Sequence, residues 1–372
     1  MKKVFTYLLD YGKYILRRNN LMRTVKQKIK HLKSSNSFER FPLDAVTPVV
    51  SEYSYFRKGD RPWLDFFYSV YGQPLPDFIP LTIYYQTIEP KLNNYVLLQA
   101  IKEKNFYNKF FTNIKTPRTT LRRINGSFYD AEFKNVILSD AWIENNIMAE
   151  NELIVKPSVQ SGAGKSIMKF IKNGHSVESN INVLNVNYLL NYHKDFIIQE
   201  VVKQHQFFRQ FNPGANNTLR IFTYRSVVTN QVHILHTLVR IGKDGEFMDH
   251  DNLGGIAIAI DHSGKLKSHA FDVNGNKYSA FNGVKFDELE KVPLLDKFQK
   301  VAEELAYDIY YGRLLAFDFT VNEHGDPLLI EINCQHNGVS QYQMNNGSLF
   351  GEFTQEILEY CENTKPRYVF TY

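Results

Sequence analysis

From about residue 116 onward, apolar and polar positions alternate in short runs, the period-two signature of strands packed on one or both faces. Such runs at 137–139, 153–156, 166–171, 196–202, 219–225, 232–241, 256–261, 314–321 and 328–332 predict strands. The stretch 286–311 follows a helical period instead, with Leu289, Val292, Leu295, Phe298, Val301, Leu305 and Ile309 on one face. A further helix is predicted at 97–111, ended by the turn before Pro117. Residues 53–95 are dense in aromatics and prolines and predict an irregular helical module, whose rings serve either a core or a surface for stacking sugars. A polar stretch at 34–47 reads as a linker. No internal repeat is visible, and the order of elements indicates an α+β protein rather than one doubly wound sheet. The expected division is 1–35, a basic helical arm; 36–115, a helical aromatic-rich module; 116–202, a first lobe; and 203–372, a second lobe.

The charge is uneven along this frame. The first 35 residues hold ten Lys and Arg against Asp10, a local charge of +9, so the remainder of a chain with formal net charge +5 carries −4. The net charge of +5 is too small to suggest a nucleic-acid partner, and the body is mildly acidic. Apolar positions recur through 1–32 at roughly helical spacing between the bases, so the arm is either an amphipathic helix on an anionic membrane or a solvated helix packed on the body. Lys13, Arg17 and Arg18 interrupt every candidate for the ~7–15-residue apolar core of a secretory signal. No run reaches the ~18 apolar residues of a spanning helix. A cytoplasmic location is expected, with contact at the inner membrane face as an option. Two cysteines, Cys334 and Cys361, exclude a disulfide framework and a structural zinc site.

The segment LLAFDFTVNEHGDPLLIEIN, 314–333, carries the sharpest chemistry. It reads as two strands joined by a polar turn at 322–327. Pairing Val321 with Leu328 sets Asp318 opposite Glu331, places Asn333 on the same face, and turns Phe317, Phe319, Ile330 and Ile332 to the core. Opposed carboxylates repel by a few tenths to ~1 kcal/mol unless a cation lies between them. Their hard oxygens suit Mg²⁺, which takes one or two carboxylates and completes its shell with water and phosphate. A solvent-facing hairpin is the alternative.

Upstream, LIVKP ends a strand at Lys156, and SVQSGAGKS follows as a flexible loop whose Gly162 and Gly164 let backbone N–H groups close on phosphate, with Lys165 beside them. A P-loop is excluded, because that motif needs glycine where Val159 stands and a helix where strand alternation resumes. A surface hairpin loop is again the plain alternative.

Together these motifs resemble the ATP-grasp superfamily, and more closely its branch associated with sugar transfer and cell-surface polysaccharides, over about 93–353. Lys104 stands thirteen residues before Pro117, as the family's first lysine does. Lys156, Pro157, Gly162 and Gly164 match its strand and glycine loop, and IIQEVV, with Gln199, Glu200 and Val202, matches the hinge that meets adenine. NTLRIFTY and VRIGKDGEFMDHDNLGGIAIAID match its arginine strands and the loop between them, at Arg220, Arg240, Asn252, Gly254 and Gly255. DFTV and IEIN match the metal motif at Asp318, Glu331 and Asn333. The resemblance implies two α+β lobes clamping Mg²⁺ and ATP, an acyl phosphate made from a carboxylate, and attack on it by an amine. In this frame Lys104, Lys156 and Lys165 hold phosphates, while Arg220, Arg240 and Asn252 are catalytic. The implied substrates are a small-molecule or glycan carboxylate, such as a uronic acid, and an amine or amino acid. A peptide or small-metabolite ligase and a nucleotide-binding scaffold of a glycan-assembly complex remain the rival readings. The family's ribose-binding acid is missing from Lys203, Gln204, His205 and Gln206.

Overall fold

The computed structural model describes residues 2–42, 60–75, 77–159 and 166–364. Helix α1 (Lys2–Ser34) has 33 residues and is about 50 Å long at 1.5 Å per residue. Its apolar stripe is spent on the body: Val25 and Leu32 are buried, and Leu21, Met22 and Ile29 pack beside them. Arg18 pairs with the buried Asp60 at 2.8 Å, and Gln86 Nε2 donates to the Tyr14 carbonyl at 2.7 Å. Of the two readings of the arm, packing on the body therefore describes residues 14–32. Helix α2 (Arg61–Tyr71) follows, with Pro62 in its first turn, and Pro80 leads into helical turns at Leu81–Ile83, Tyr84–Ile88 and Glu89–Leu92. Trp63, Phe66, Phe67, Phe78 and Tyr84 are fully buried, so the aromatic cluster is core rather than a sugar-stacking surface. Residues 43–47 of the expected linker lie outside the described residues.

The predicted helix at 97–111 is broken into two tight turns, Ala100–Lys102 and Lys104–Phe106, and a short helix at Tyr107–Phe110. Glu103 breaks it: its backbone is extended and its carboxylate accepts from the Asn105 N–H at 3.0 Å, competing with the helix for that donor.

The first sheet is built from β1 (Thr119–Ile124), β2 (Ser127–Tyr129), β3 (Glu152–Pro157), β4 (Met168–Asn173), β5 (Ser176–Glu178) and β6 (Phe196–Glu200), in the order β2-β1-β6-β3-β4-β5. All its neighbours are antiparallel. The strand expected at 137–139 is absent: Ile137 is exposed, and Ser139 instead caps α3 (Asp140–Asn146) by accepting from Trp142 N–H at 3.2 Å. Asn185 caps α4 (Val186–Asn191) in the same way.

The second sheet runs β11-β10-β9-β8-β7-β14-β15, comprising β7 (Thr218–Arg225), β8 (Val232–Ile241), β9 (Ile256–Ala259), β10 (Ala270–Phe271), β11 (Lys277–Tyr278), β14 (Leu314–Val321) and β15 (Pro327–Asn333). A small hairpin, β12 (Ala280–Phe281) with β13 (Val284–Lys285), stands apart from it. Both faces of this sheet are covered. Leu219, Ile221, Val239, Phe317 and Phe319 point to the side of α5 (Leu295–Asp308), which is shorter than the predicted 286–311 because Pro293 and a left-handed Leu294 precede it. Phe222, Tyr224, Leu238 and Ala316 point to the other side, where α1 and α2 pack with α6 (Val339–Asn346) and α7 (Thr354–Asn363). Tyr342 of α6 stacks on Phe222 with ring centroids 4.8 Å apart.

The β14–β15 ladder holds one correction to the expected register. Asp318 faces Glu331 as the sequence predicts, but Val321 pairs with Pro327, because the register slips by one between Asp318 and Phe319. The extra residue is Ile330, which leaves the core and turns to the cleft between the sheets. Such a bulge lets Leu329 remain in the core while Glu331 keeps its place beside Asp318.

Candidate active site

A cleft of about 1170 Å³ opens where the N-terminal helices stop covering the second sheet. Its floor is a cross-strand row. Asp318 on β14 pairs with Glu331 on β15 to one side and with Arg220 on β7 to the other, so three charged side chains line up over three strands. Arg220 meets Asp318 in a bidentate fork, Nε to Oδ1 and Nη2 to Oδ2, both at 2.6 Å. Lys104 Nζ holds Glu331 Oε1 at 2.7 Å, and Asn333 Nδ2 donates to Asp318 Oδ2 at 3.3 Å. Burial would raise the pKa of both acids, yet Arg220 beside Asp318 and Lys104 beside Glu331 hold them below their ordinary values. The row therefore keeps both carboxylates ionised, the state a metal needs.

Arg240 sits one step along, opposite Thr218 on β7. Its guanidinium lies 3.6 Å from Asp249, 3.8 Å from Asp251 and 3.8 Å from Asp318, and donates to the Asp249 carbonyl at 3.2 Å. Asp249 in turn accepts from the Thr218 N–H at 3.0 Å and from its hydroxyl. The loop carrying Asp249 and Asp251 closes on Gly255, where a Cβ would come within 2.9–3.0 Å of the carbonyls of Asp249, His250 and Ile241. Only glycine fits there, which is the physical content of the Gly-Gly return. Asn252, expected among the catalytic residues, is exposed on the turn Asp251–Leu253 and does not line the cleft. Asp249 and Asp251 are the residues that reach it, and the sequence signal for them was an acid-rich DHD read only as part of a loop.

The opposite wall comes from the first sheet. Lys156, at the end of β3, is buried, and that burial, with Lys104 nearby, pushes its ammonium down to about 7. Lys104 N–H donates to the Ser158 carbonyl at 3.0 Å, and Ser158 Oγ donates to Glu103 at 3.0 Å, so the two lysines are tied through one short connection. Gln199, Glu200 and Val202 line the cleft where β6 leaves the sheet. The Gln199 side chain is occupied, donating to the Pro117 carbonyl at 2.9 Å, and Glu200 accepts from the Arg118 N–H at 2.9 Å. The Gln199 backbone is paired with Ile154 on one side and Thr119 on the other, and the Glu200 N–H donates to the Arg118 carbonyl at 3.0 Å. Gly162, Gly164 and Lys165 lie outside the described residues.

Lys104, Lys156, Gln199, Glu200, Val202, Arg220, Arg240, Asp318, Glu331 and Asn333 all border this one cleft. The donor chemistry of Asp318, Glu331 and Asn333 fits Mg²⁺: two hard carboxylates and an amide, with room for water and phosphate. Among the described residues no cluster of three or more His, Cys, Asp or Glu is placed to cage a metal by itself.

Two antiparallel sheets thus border one cation-lined cleft, with a carboxylate row on the second sheet and the end of β6 on the first. The family described as sugar-transfer associated ATP-grasp matches residues 85–358, and the chain belongs to it, with the α+β fold the sequence predicts. Among solved structures it is similar to the ADP complex of purK, N5-carboxyaminoimidazole ribonucleotide synthetase, at 13% identity and TM-score 0.41, over 70% of this chain and 53% of that one. It is similar to the ATP-grasp ligase PsnB, complexed with a precursor variant, Mg and ADP, at 9% identity and TM-score 0.40, over 72% and 61%. D-cycloserine synthetase DcsG is similar at 13% identity and TM-score 0.40, over 73% of each chain. The matched part spans about half to three-fifths of the purK and PsnB chains. No protein of curated function matches the sequence. No helix among the described residues is long and apolar enough to cross a membrane.

Proposed function

We propose that this chain is an ADP-forming ligase that joins a carboxylate to an amine through an acyl phosphate, with a carboxylated sugar of a cell-surface polysaccharide as the acid and an amino acid or amine as the nucleophile. The observation that carries it is the row Glu331–Asp318–Arg220, with Lys104, Lys156 and Arg240 aimed into the same cleft. In the first step a substrate carboxylate oxygen attacks the γ-phosphorus, the bond to the β-phosphate oxygen breaks, and ADP leaves. In the second the amine nitrogen attacks the acyl carbon, phosphate departs with its electron pair, and the nitrogen proton passes to solvent.

Each residue has a place in that sequence. The stretch 199–202 receives adenine where β6 ends, and Lys104 and Lys156 hold the α and β phosphates. Mg²⁺, held by Asp318, Glu331 and Asn333, would neutralise the phosphate oxygens. Arg220 and Arg240 can exchange their carboxylate partners for the transferring phosphoryl group or the substrate carboxylate, a planar fork meeting oxygens in either case. Contact of the arm with an anionic membrane falls to the part of α1 before Tyr14, since 14–32 packs on the body. Flotation of Lys2→Glu/Lys3→Glu against wild type on anionic liposomes tests that contact.

The decisive experiment crosses uronic acids with amino acids in the presence of Mg-ATP and reads ADP release and product mass. Turnover should depend on both partners, and Glu331→Gln should lose on the order of 10²–10³ in rate, as removal of one transition-state charge partner does. Release of AMP instead of ADP sinks the acyl-phosphate route. Equal turnover by Glu331→Gln sinks the role of the row.

A further inference from the structure

Helix α1 is joined to the carboxylate row by a series of side-chain contacts. Arg17 stands over the Tyr85 ring, with its guanidinium 5.4 Å from the centroid. Tyr85 in turn meets the His336 ring edge to face, the centroids 5.9 Å apart and the planes at 73°. His336 belongs to the connection between Asn333, the last residue of β15, and Val339, the first of α6. That connection borders the cleft at Cys334, Gln335, His336 and Gly338. At Gly338 it reaches the row itself: a Cβ there would stand 3.2 Å from Arg220 Nη1, the guanidinium nitrogen that the fork on Asp318 does not use.

The connection has a shape that needs support. His336 is left-handed at φ 61°, a conformation that a residue with a side chain keeps only where its surroundings hold it, and Gly338 is left-handed at φ 69°. Between them Asn337 is fully buried, its N–H donating to Glu89 Oε1 at 3.4 Å and its Nδ2 to the Leu314 carbonyl at 3.2 Å. Glu89 is also fully buried and accepts from the Tyr95 hydroxyl at 2.7 Å. Burial pushes its carboxyl towards the neutral form, and the Arg17 charge opposes that push. Arg17 therefore supports the connection twice, through Glu89 at Asn337 and through Tyr85 at His336. The His336 ring packs there uncharged, because burial with Arg17 and Lys102 nearby pushes its imidazole down to about 4. Arg18 joins α1 to the body at a different place, pairing at 2.8 Å with the buried Asp60, which also accepts from the Thr82 hydroxyl at 2.6 Å.

We propose that Arg17 and Tyr85 are positioning residues for Arg220. Through them α1 holds the connection 334–338 in the shape that backs the guanidinium, which makes the helix a working part of the active site. Without that grip the Nη1 side of Arg220 loses its backing, and the fork on Asp318 is free to turn. The inference rests on the reading of Arg220 as the arginine that meets the phosphoryl group or the substrate carboxylate, but its first test needs no turnover.

Arginine Nε–H spectra of isotope-labelled protein report on the site directly, the Arg220 signal being the one lost in Arg220→Lys. In wild type it should be resolved and slow to exchange, as befits a forked and largely buried guanidinium. Arg17→Ala and Tyr85→Leu should each move or broaden it. In the ligase assay both should lower kcat by up to roughly 10²-fold and leave KM for ATP near its wild-type value, the pattern of a misplaced group with nucleotide binding intact. Arg17→Lys keeps a cation for Glu89 and should retain most of both readings. Arg18→Ala is the control for stability, since it also leaves a buried acid, Asp60, without its α1 partner. It should lower the thermal midpoint and leave the Arg220 signal in place. An unmoved signal in both Arg17→Ala and Tyr85→Leu overturns the proposal. An equal disturbance by Arg18→Ala overturns it too, because α1 would then act through overall stability alone. Tyr85→Leu keeps the test readable if Arg17→Ala does not fold. A displaced signal in a protein whose wild type joins no pair of substrates sustains the positioning and removes only the proposed reaction.

Discussion

The two walls of the cleft handle charge in different ways. On the second sheet the strong charges are matched side chain to side chain: Arg220 with Asp318, Lys104 with Glu331, Arg240 with Asp249 and Asp251. On the first sheet Glu152 pairs with Lys169, but Lys156 is opposed by burial and by a like charge. The difference teaches how such a cleft can accept a highly charged ligand. One wall holds its charges in place with internal partners that a phosphate or metal can displace, and the other holds a cation that a phosphate would stabilise.

The comparison breaks first at Asp318. Asp318→Ala would leave the Arg220 guanidinium in a largely buried site without its fork partner, so stability should fall by ~3–5 kcal/mol, read from the midpoint of denaturant unfolding. A loss below about 1 kcal/mol, within the range of exposed pairs, would show that the row is solvated and the contrast between the walls is false. Gly255→Ala comes next. A methyl group meeting three carbonyls should displace the loop that anchors Arg240 and cost ~1–3 kcal/mol, with a larger proportional loss of activity than of stability.

Lys156 sharpens the comparison through pH. Its pKa falls from 10.5 to about 7 on folding, so the unfolded chain binds more protons there between those values, and stability should rise with pH across that window. The penalty is fully present below pH 7, and Lys156→Met should flatten the slope. Phosphates favour the ammonium, so nucleotide binding at pH 8 should take up a proton in wild type and not in Lys156→Met. Calorimetry in two buffers of different ionisation heat measures this. The smallest effect belongs to Asn252, exposed outside the cleft: Asn252→Ala should change stability by no more than ~0.5 kcal/mol and leave kcat near wild type.

Much of the second sheet was legible because its signals are local. The turn between β14 and β15 is short, and a pairing counted outward from it put Asp318 opposite Glu331, the bulge making up for a turn one residue shorter than expected. The one-residue slip at Ile330 was not legible, because a bulge depends on how Leu329 and Ile332 settle against the side of α5. The helix expected at 97–111 failed for a related reason. Apolar spacing there was helical, but Glu103 has partners at Asn105 and Ser158, and the latter is far along the chain. The strand expected at 137–139 lost to a helix cap at Ser139, a signal the sequence did carry.

By itself the sequence determined that Asp318 and Glu331 face one another with Asn333 beside them, because a period-two face is set by neighbours along the chain. Only the tertiary structure decided what those residues touch. Arg220 reaches Asp318 across 98 positions because β7 happens to lie beside β14, and Lys104 reaches Glu331 across 227. Lys13 and Arg17 border the cleft because α1 buries its apolar stripe on the helices covering the second sheet, a choice made by packing and not by local pattern.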